Sequence, residues 1–202
     1  MSAEDTEIVA AKKACRAKVI EKRDQLPLKT RQRLSAFAAR EAEALSLLSG
    51  PKAVFSIYAT MGSEIDPTPT CEQLLGRGHT VSLPVMIKLG QPLVFRQWKP
   101  GDPLEPKKWG IREPLPQAPK IEPDVLLLPM VAFDKDGWRL GYGGGFYDRT
   151  LARLRALKPI IAIGIAFDEQ EVDAVPHAAY DERLDLVLTP TGLRSFQPAD
   201  TK

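Results

Sequence analysis

Residues 125–167 read VLLLPMVAFDKDGWRLGYGGGFYDRTLARLRALKPIIAIGIAF, and this stretch decides the fold class. It begins and ends with apolar runs, 125–133 and 160–167, of the kind that fills a sheet covered on both faces. Between them, residues 147–157 carry apolar side chains at helical spacing. A strand, a helix and a second strand in this order predict an α/β fold with a mainly parallel central sheet.

The segments on either side continue this pattern. Residues 7–48 are expected to form two helices interrupted at Pro27, and a short helix is expected at 70–75. The strands predicted outside the central stretch are 53–59, 81–86, 93–98 and 184–189. We expect a single domain over residues 1–202, with its parts at 7–48 (N-terminal helices), 52–189 (α/β core) and 190–202 (tail).

Composition favours an ordinary globular protein. Of the 202 residues, 44% are hydrophobic and 27% charged, so the chain can bury a full core without a disulfide or metal. Its two cysteines, Cys15 and Cys71, are far apart and form no CxxC motif, which argues against a disulfide framework or a zinc site. The apolar runs are too short to cross a membrane, and the acidic first ten residues do not resemble a secretory signal. We therefore expect a cytoplasmic protein that is not bound to a membrane.

Basic residues are concentrated near the start of the chain. The net charge is only +2, but residues 11–45 hold ten basic and four acidic side chains. Such a helical region can bind nucleic acid, bind an anionic small ligand, or present a solvated face, and charge alone favours the solvated face.

Residues 100–123 contain seven prolines, which excludes regular helix and central strand. We expect an irregular loop here. Trp109 and Ile111 at its centre favour an ordered loop that packs over another part of the protein.

The glycine-rich loop at 141–145 is the strongest candidate for a phosphate site. It follows a buried strand and leads into a helix, where backbone N–H groups and the helix dipole favour an anion. Its spacing fits neither GxGxxG nor the P-loop, so taken alone it is also compatible with a flexible turn. The nearby Arg139, Asp148 and Arg149 favour the nucleotide interpretation, because phosphates need cations and Mg²⁺ needs a carboxylate.

Several motifs together resemble the 5-formyltetrahydrofolate cyclo-ligase family, also called methenyltetrahydrofolate synthetases. In chain order they are KKACR (12–16), TMGSEID (60–66), WGIREP (109–114), FDKDGWRLGYGGGFYDR (133–149), GIAFDEQ (164–170) and DERLDLVLT (181–189). The resemblance implies a three-layer, Rossmann-like α/β fold of the NagB/RpiA/CoA transferase-like type. It also implies ATP- and Mg²⁺-dependent conversion of 5-formyltetrahydrofolate, with or without a polyglutamate tail, to 5,10-methenyltetrahydrofolate, ADP and phosphate. A monomer that binds no nucleic acid is expected.

The resemblance assigns roles residue by residue. The catalytic residues it implies are Arg139, Tyr142 and Asp148, and the implied metal ligands are Asp148 and Asp185. The implied ATP-binding residues are Lys12, Lys13, Arg16, Arg139, Leu140, Gly141, Tyr142, Gly143, Gly144, Gly145, Phe146 and Tyr147. The implied folate-binding residues are Ala59, Glu64, Trp109, Tyr142, Gly143, Gly144, Gly145 and Phe146. Family members often carry a basic residue within the loop and a tyrosine at its end, where this chain has Tyr142, Gly144 and Phe146.

Other interpretations stay open from the residues alone. Lys12 and Arg16 share a helix face that is also compatible with plain solvation, and Asp185 is also compatible with an exposed position near a strand start. Glu64 can be a loop charge, and Trp109 can pack against the sheet instead of a pterin ring. The fold also accommodates a sugar-phosphate isomerase, and the basic helices a nucleic-acid-binding module. With only two histidines and no GxSxG motif, Ser-His hydrolase chemistry has little support.

Overall fold

The computed structural model describes residues 3–107 and 110–196. Within these residues the α-helices are α1 (Ala3–Asp24), α2 (Leu28–Ala38), α3 (Ala42–Ser49), α4 (Thr68–Gly76) and α5 (Phe146–Leu157). The strands are β1 (Val54–Ser56), β2 (Thr80–Val85), β3 (Val94–Gln97), β4 (Leu104–Pro106), β5 (Arg112–Pro114), β6 (Val125–Pro129), β7 (Ala132–Phe133), β8 (Arg139–Leu140), β9 (Ile161–Ile165), β10 (Leu186–Thr189) and β11 (Gly192–Ser195).

The central sheet has the strand order β11, β10, β9, β6, β1, β2, β3. The five inner strands are parallel, and the two edge strands β3 and β11 pair antiparallel with their neighbours. This confirms the predicted α/β fold with a mainly parallel central sheet. The finer assignment to the NagB/RpiA/CoA transferase-like class stays a prediction.

The sheet lies between two helical layers, and the alternation along β6 shows why. Leu127 packs in a cluster that includes residues of α2, α3 and α4, whereas Leu126 and Leu128 pack with Leu151 and Leu154 of α5. Side chains of successive strand residues point to opposite faces, so an unbroken apolar run supplies both cores. The result is the three-layer arrangement that the apolar runs require.

The N-terminal region contains three α-helices where two were expected. The break at Pro27 is confirmed, since α2 begins at Leu28, but a short 3₁₀ turn, Ala39–Glu41, divides the second predicted helix. α1 also begins at Ala3, earlier than predicted. Gly50 ends α3 with a φ of 74°, a conformation that glycine adopts without steric cost.

The expectation of irregular structure throughout 100–123 is wrong in part, because β4 and β5 form an antiparallel hairpin. Pro106 and Pro114 lie at the ends of these strands. A two-stranded ribbon leaves one edge of each strand unpaired, so it tolerates proline where a central strand does not. Trp109 lies outside the described residues, so its predicted packing stays a prediction.

Two further segments differ from expectation. The run 125–133 splits into β6 and β7, because Pro129 has no N–H with which to continue the ladder, and β7 then pairs with β8 in a small hairpin. Residues 192–195, expected in a tail, form the edge strand β11 through a two-residue turn after β10. None of the described helices has the length and apolar character needed to cross a membrane.

Candidate active site

The direction in which strands are added to the sheet reverses between β1 and β6. The chain proceeds from β1 to β2 on one side, and from β6 to β9 and β10 on the other. Ligands of open α/β sheets bind where the strand order reverses in this way. The segments that follow β1 and β6, residues 57–66 and 130–147, carry most of the predicted site residues.

Helix α1 lies across this edge of the sheet. Val19 packs with Val131, Ala132 and Leu140, all of them in the segment that follows β6. This contact turns one face of α1, with Lys12, Arg16 and Arg23, toward the site. The interpretation of Lys12 and Arg16 as a solvated surface face is therefore wrong.

Lys12 and Arg16 make different contacts. Arg16 Nε donates to the Gly141 carbonyl oxygen at 2.8 Å, so its guanidinium lies against the glycine loop. Lys12 Nζ lies 2.5 Å from the Asp181 carboxylate. Lys13 is exposed, and no contact of it defines a role. Of the three predicted N-terminal ATP ligands, the structure brings Arg16 directly to the loop.

The glycine loop is open on its outer side. Gly143 has a φ of 99° and Gly145 a φ of 60°, conformations in which a side chain would be strained. Tyr142, Gly143 and Gly144 are exposed, and α5 begins at Phe146 immediately after the loop. The helix start and the open backbone are the features that a bound anion requires, and an anion at this loop stays a prediction.

The small β7–β8 hairpin delivers Arg139 to the base of this loop. Asp134 stabilises the hairpin turn by accepting hydrogen bonds from the backbone N–H groups of Asp136 and Trp138, each at 3.0 Å. Arg139 is buried and donates to Asp148 at 3.0 Å and to the Glu182 carbonyl oxygen at 2.5 Å. Arg139 therefore fixes Asp148 in the first turn of α5.

Asp185 has different hydrogen-bond partners from Asp148. Its carboxylate accepts a hydrogen bond from the Ala162 N–H at 2.7 Å and contacts Arg155 at 3.2 Å. Arg155 is in the last turn of α5, about two helical turns from Asp148. The described residues contain no group of three metal-ligating side chains, and a Mg²⁺ site that uses both Asp148 and Asp185 stays a prediction. Asp185 sits at the start of β10, as the local sequence pattern indicated.

A polar cluster that is buried except at Tyr142 forms the other end of the site. It consists of Arg23, Ser63, Glu64 and Tyr142. Arg23 Nε donates to Ser63 Oγ at 2.8 Å, and Arg23 Nη2 donates to the Tyr142 hydroxyl at 2.7 Å. Ser63 in turn donates to Asp24. The cluster thus joins α1, the segment after β1 and the glycine loop.

Glu64 is the carboxylate of this cluster, and its pKa is shifted from the ordinary value. Burial raises its pKa from 4.5 to about 6. A hydrogen bond from the Met61 N–H, the positive charge of Arg23 and a hydrogen bond from Tyr142 oppose this rise. A buried carboxylate with a perturbed pKa in a cleft is a typical binding or catalytic group.

Aromatic side chains surround Glu64. The Tyr58 hydroxyl donates to the Ile65 carbonyl oxygen at 2.7 Å, and burial raises the pKa values of Tyr58 and Tyr147, with the negative charge of Glu64 adding to both. Ala59, a predicted folate residue, follows Tyr58 and is half-buried. Phe146 packs against the core cluster of α5, at the end of the loop.

Arg23 and Ser63 are site residues that the sequence analysis missed. Arg23 lies seven residues after Arg16, a spacing that returns to the same helix face, and this stripe was a usable signal. Ser63 has no such signal, because its partner is 40 residues away in the chain.

Comparison with known proteins agrees with this geometry. Residues 8–190 match the model of the 5-formyltetrahydrofolate cyclo-ligase family. The chain belongs to this family. It is 34% identical over 172 residues to the 5-formyltetrahydrofolate cyclo-ligase of Haemophilus influenzae, which covers 79% of this chain and 91% of the relative. It is 37% identical over 167 residues to the cyclo-ligase of Mycolicibacterium smegmatis, covering 76% and 84% of the two chains.

A solved structure supports the same conclusion. The NMR structure of the Aquifex aeolicus 5,10-methenyltetrahydrofolate synthetase superimposes with a TM-score of 0.76 and 27% identity, over 95% of each chain. The sequence resemblance is therefore confirmed, and the chain is a cyclo-ligase enzyme.

Proposed function

We propose that this cyclo-ligase couples ATP hydrolysis to closure of a ring on 5-formyltetrahydrofolate. The formyl oxygen attacks the γ-phosphorus of ATP, forming an O–P bond as the bond to ADP breaks. The neighbouring folate nitrogen then attacks the formyl carbon and loses its proton, and the C–O bond breaks to release phosphate. An amide oxygen is a very poor leaving group, so its phosphorylation makes the cyclisation feasible.

The glycine loop supports the nucleotide half of this proposal. A phosphoryl-transfer enzyme needs no nucleophilic side chain of its own, but it must align its two substrates and neutralise charge. The open backbone of residues 141–145 and the start of α5 offer N–H groups, and Arg16 adds a positive charge against the same loop. Lys12 joins this end if the phosphates displace Asp181 from it.

The donor set near the loop also fits Mg²⁺. Mg²⁺ bound with a nucleotide keeps several waters and takes one or two carboxylates besides phosphate oxygens. Asp148, held by Arg139 beside the loop, is the carboxylate we assign to it. When bound, the cation would neutralise charge on the transferred phosphoryl group. The contacts of Asp185 with Ala162 and Arg155 favour a structural role for that residue.

The polar cluster supports the folate half. A pterin ring presents N–H donors along one edge, and the carboxylate of Glu64 is a suitable acceptor for them. Tyr142 and Phe146 belong to the same loop as the phosphate donors. We therefore infer that one loop contacts both substrates. The observation that carries the proposal is that Tyr142, which is bonded to Arg23 of the polar cluster, belongs to the same exposed glycine loop that leads into α5. By resemblance Trp109 covers the pterin ring.

The direct test combines the two substrates. The purified protein is incubated with ATP, Mg²⁺ and 5-formyltetrahydrofolate, and the absorbance of the methenyl product is recorded together with released phosphate. We expect one phosphate for each methenyl group formed, and no product when ATP or Mg²⁺ is omitted. Methenyl formation that is independent of ATP, or phosphate release without folate turnover, would contradict the proposal.

A further inference from the structure

Arg23 is a buried guanidinium with an unusual set of partners. It is 2% exposed, and its two hydrogen bonds go to the neutral hydroxyls of Ser63 and Tyr142. Within the described residues, Nη1 is buried without a hydrogen-bond partner, and no carboxylate lies within ion-pair distance of Arg23. Burying a cation without a paired carboxylate costs free energy. The stability of the fold alone therefore does not explain an arginine at this position.

The charge of Arg23 reaches Glu64 through Tyr142. The Tyr142 hydroxyl oxygen accepts from Arg23 Nη2, so its single hydrogen points away from Arg23, and hydrogen bonding from Tyr142 lowers the pKa of Glu64. Arg23 therefore sets the direction in which this hydroxyl points. Tyr142 is 43% exposed, so its ring stays open to a ligand while its hydroxyl is fixed from below.

Arg23 is also the positive charge that lowers the pKa of Glu64. The other titratable groups that act on or respond to this carboxylate are Tyr58, Tyr142 and Tyr147, which are neutral near pH 7. Glu64 itself is 7% exposed, so water stabilises its charge poorly. Both oxygens of the Glu64 carboxylate can accept hydrogen bonds from the N–H groups of a ligand only while the carboxylate is ionised.

We infer that Arg23 is a positioning residue for folate binding, which aims the Tyr142 hydroxyl at Glu64 and provides the positive charge beside that carboxylate. This inference rests on the proposed function, in which Glu64 accepts hydrogen bonds from the pterin edge. Arg23 acts through Tyr142 and Glu64, and it does not touch the reacting atoms.

The test compares Arg23→Gln, Arg23→Lys and Tyr142→Phe with the wild type, and uses Lys22→Gln as the control. Lys22 is the adjacent exposed lysine of α1, so the control removes the same charge from the same helix end. Steady-state KM values for folate and ATP are measured, together with the pH dependence of kcat/KM for folate. Titration calorimetry of 5-formyltetrahydrofolate without ATP gives a readout that does not depend on turnover.

We expect Arg23→Gln to raise KM and Kd for the folate by about tenfold or more, the loss expected for one charge-assisted interaction, with less than a twofold change in KM for ATP. On the acidic side of the profile, the pH at which kcat/KM for folate falls to half should rise by about one unit, because the positive charge near Glu64 is gone. Arg23→Lys should keep that pH near its wild-type value but still weaken folate binding, because lysine lacks the planar fork. Lys22→Gln should behave like the wild type.

Tyr142→Phe keeps the test decisive if Arg23→Gln does not fold. This variant removes the hydroxyl that joins Arg23 to Glu64 but keeps the charge of Arg23. Folate binding should therefore weaken, while the acidic side of the pH profile should shift less than in Arg23→Gln. Equal losses for both substrates with an unchanged pH profile would make Arg23 a structural residue and overturn the inference. If the wild type neither binds nor converts 5-formyltetrahydrofolate, the proposed function fails first, and that result is seen before any variant is compared.

Discussion

The fold stabilises the ionised form of the Glu64 carboxyl group less well than water does. Its pKa of about 6, against an ordinary 4.5, means that the folded chain binds a proton at Glu64 more tightly than the unfolded chain does. Its contribution to stability is therefore greatest below pH 4.5, falls as the pH rises to about 6, and stays low above that. Sites that bind ligands commonly accept such a loss.

Glu64→Gln should therefore be more stable than the wild type near neutral pH. The pKa difference corresponds to a gain in the free energy of unfolding, relative to the wild type, of about 2 kcal/mol at pH 7.5 and of almost nothing at pH 4. Folate affinity should fall at the same time, because an amide replaces a carboxylate acceptor. Urea unfolding at the two pH values measures the effect. A variant that is less stable than the wild type at pH 7.5 would contradict this view of Glu64.

Asp148 and Asp185 should respond differently to the same substitution. Asp148→Asn should raise the Mg²⁺ concentration needed for half-maximal turnover, because an amide is a poor ligand for a hard cation. Asp185→Asn should leave that requirement unchanged, since its carboxylate is tied to Ala162 and Arg155. Mg²⁺ titrations of turnover, with thermal unfolding as a control for folding, separate the two roles. An equal rise in both variants would return Asp185 to the metal site.

At the scale of elements, α1 and the glycine loop act together although more than a hundred residues separate them. Local spacing predicted that Lys12 and Arg16 share a helix face, and the loop was predicted as an anion site. The contact between Arg16 and Gly141 was not predictable, because it depends on how α1 packs over the sheet. The β4–β5 hairpin was missed for a similar reason, since its pairing is set by the partner strand and not by its prolines.

Arg16→Ala should weaken ATP binding more than Lys12→Ala does. Arg16 contacts the loop itself, whereas Lys12 is already paired with Asp181. A charged hydrogen bond shielded from water contributes roughly 1.5 to 3 kcal/mol, so the double variant should lose on the order of a hundredfold in kcat/KM for ATP. Lys18→Ala, which changes an exposed lysine of the same helix, is the control.

Thermal unfolding distinguishes binding from folding in this series. Lys12 and Arg16 make part-buried contacts with Asp181 and the Gly141 carbonyl oxygen, so their loss lowers the melting temperature as well, and the kinetic loss of each variant is compared with its own melting temperature. An unchanged KM for ATP in the double variant would remove α1 from the nucleotide site. Activity that falls only in proportion to the melting temperature would do the same.

At the scale of the whole molecule, the sequence determined the layers better than the site. Apolar runs such as 160–167 identify sheet strands from local pattern alone, and the parallel order follows from the alternation with helices. Arg23 and Ser63 were missed because their partners come from distant segments that meet only after folding. The resemblance assigns Asp185 to the metal, and the local pattern places it beside a strand start; the structure agrees with the second, and the first stays a prediction.

In the proposed mechanism both substrates lie on one loop, where the γ-phosphoryl group of ATP is transferred to the formyl oxygen. The most direct test uses 5-formyltetrahydrofolate labelled with oxygen-18 in its formyl group. After turnover with unlabelled ATP in unlabelled water, phosphorus NMR reports where the label is. If the formyl oxygen attacks the γ-phosphorus, each phosphate released carries one labelled oxygen. Unlabelled phosphate formed in step with methenyl product would contradict the account.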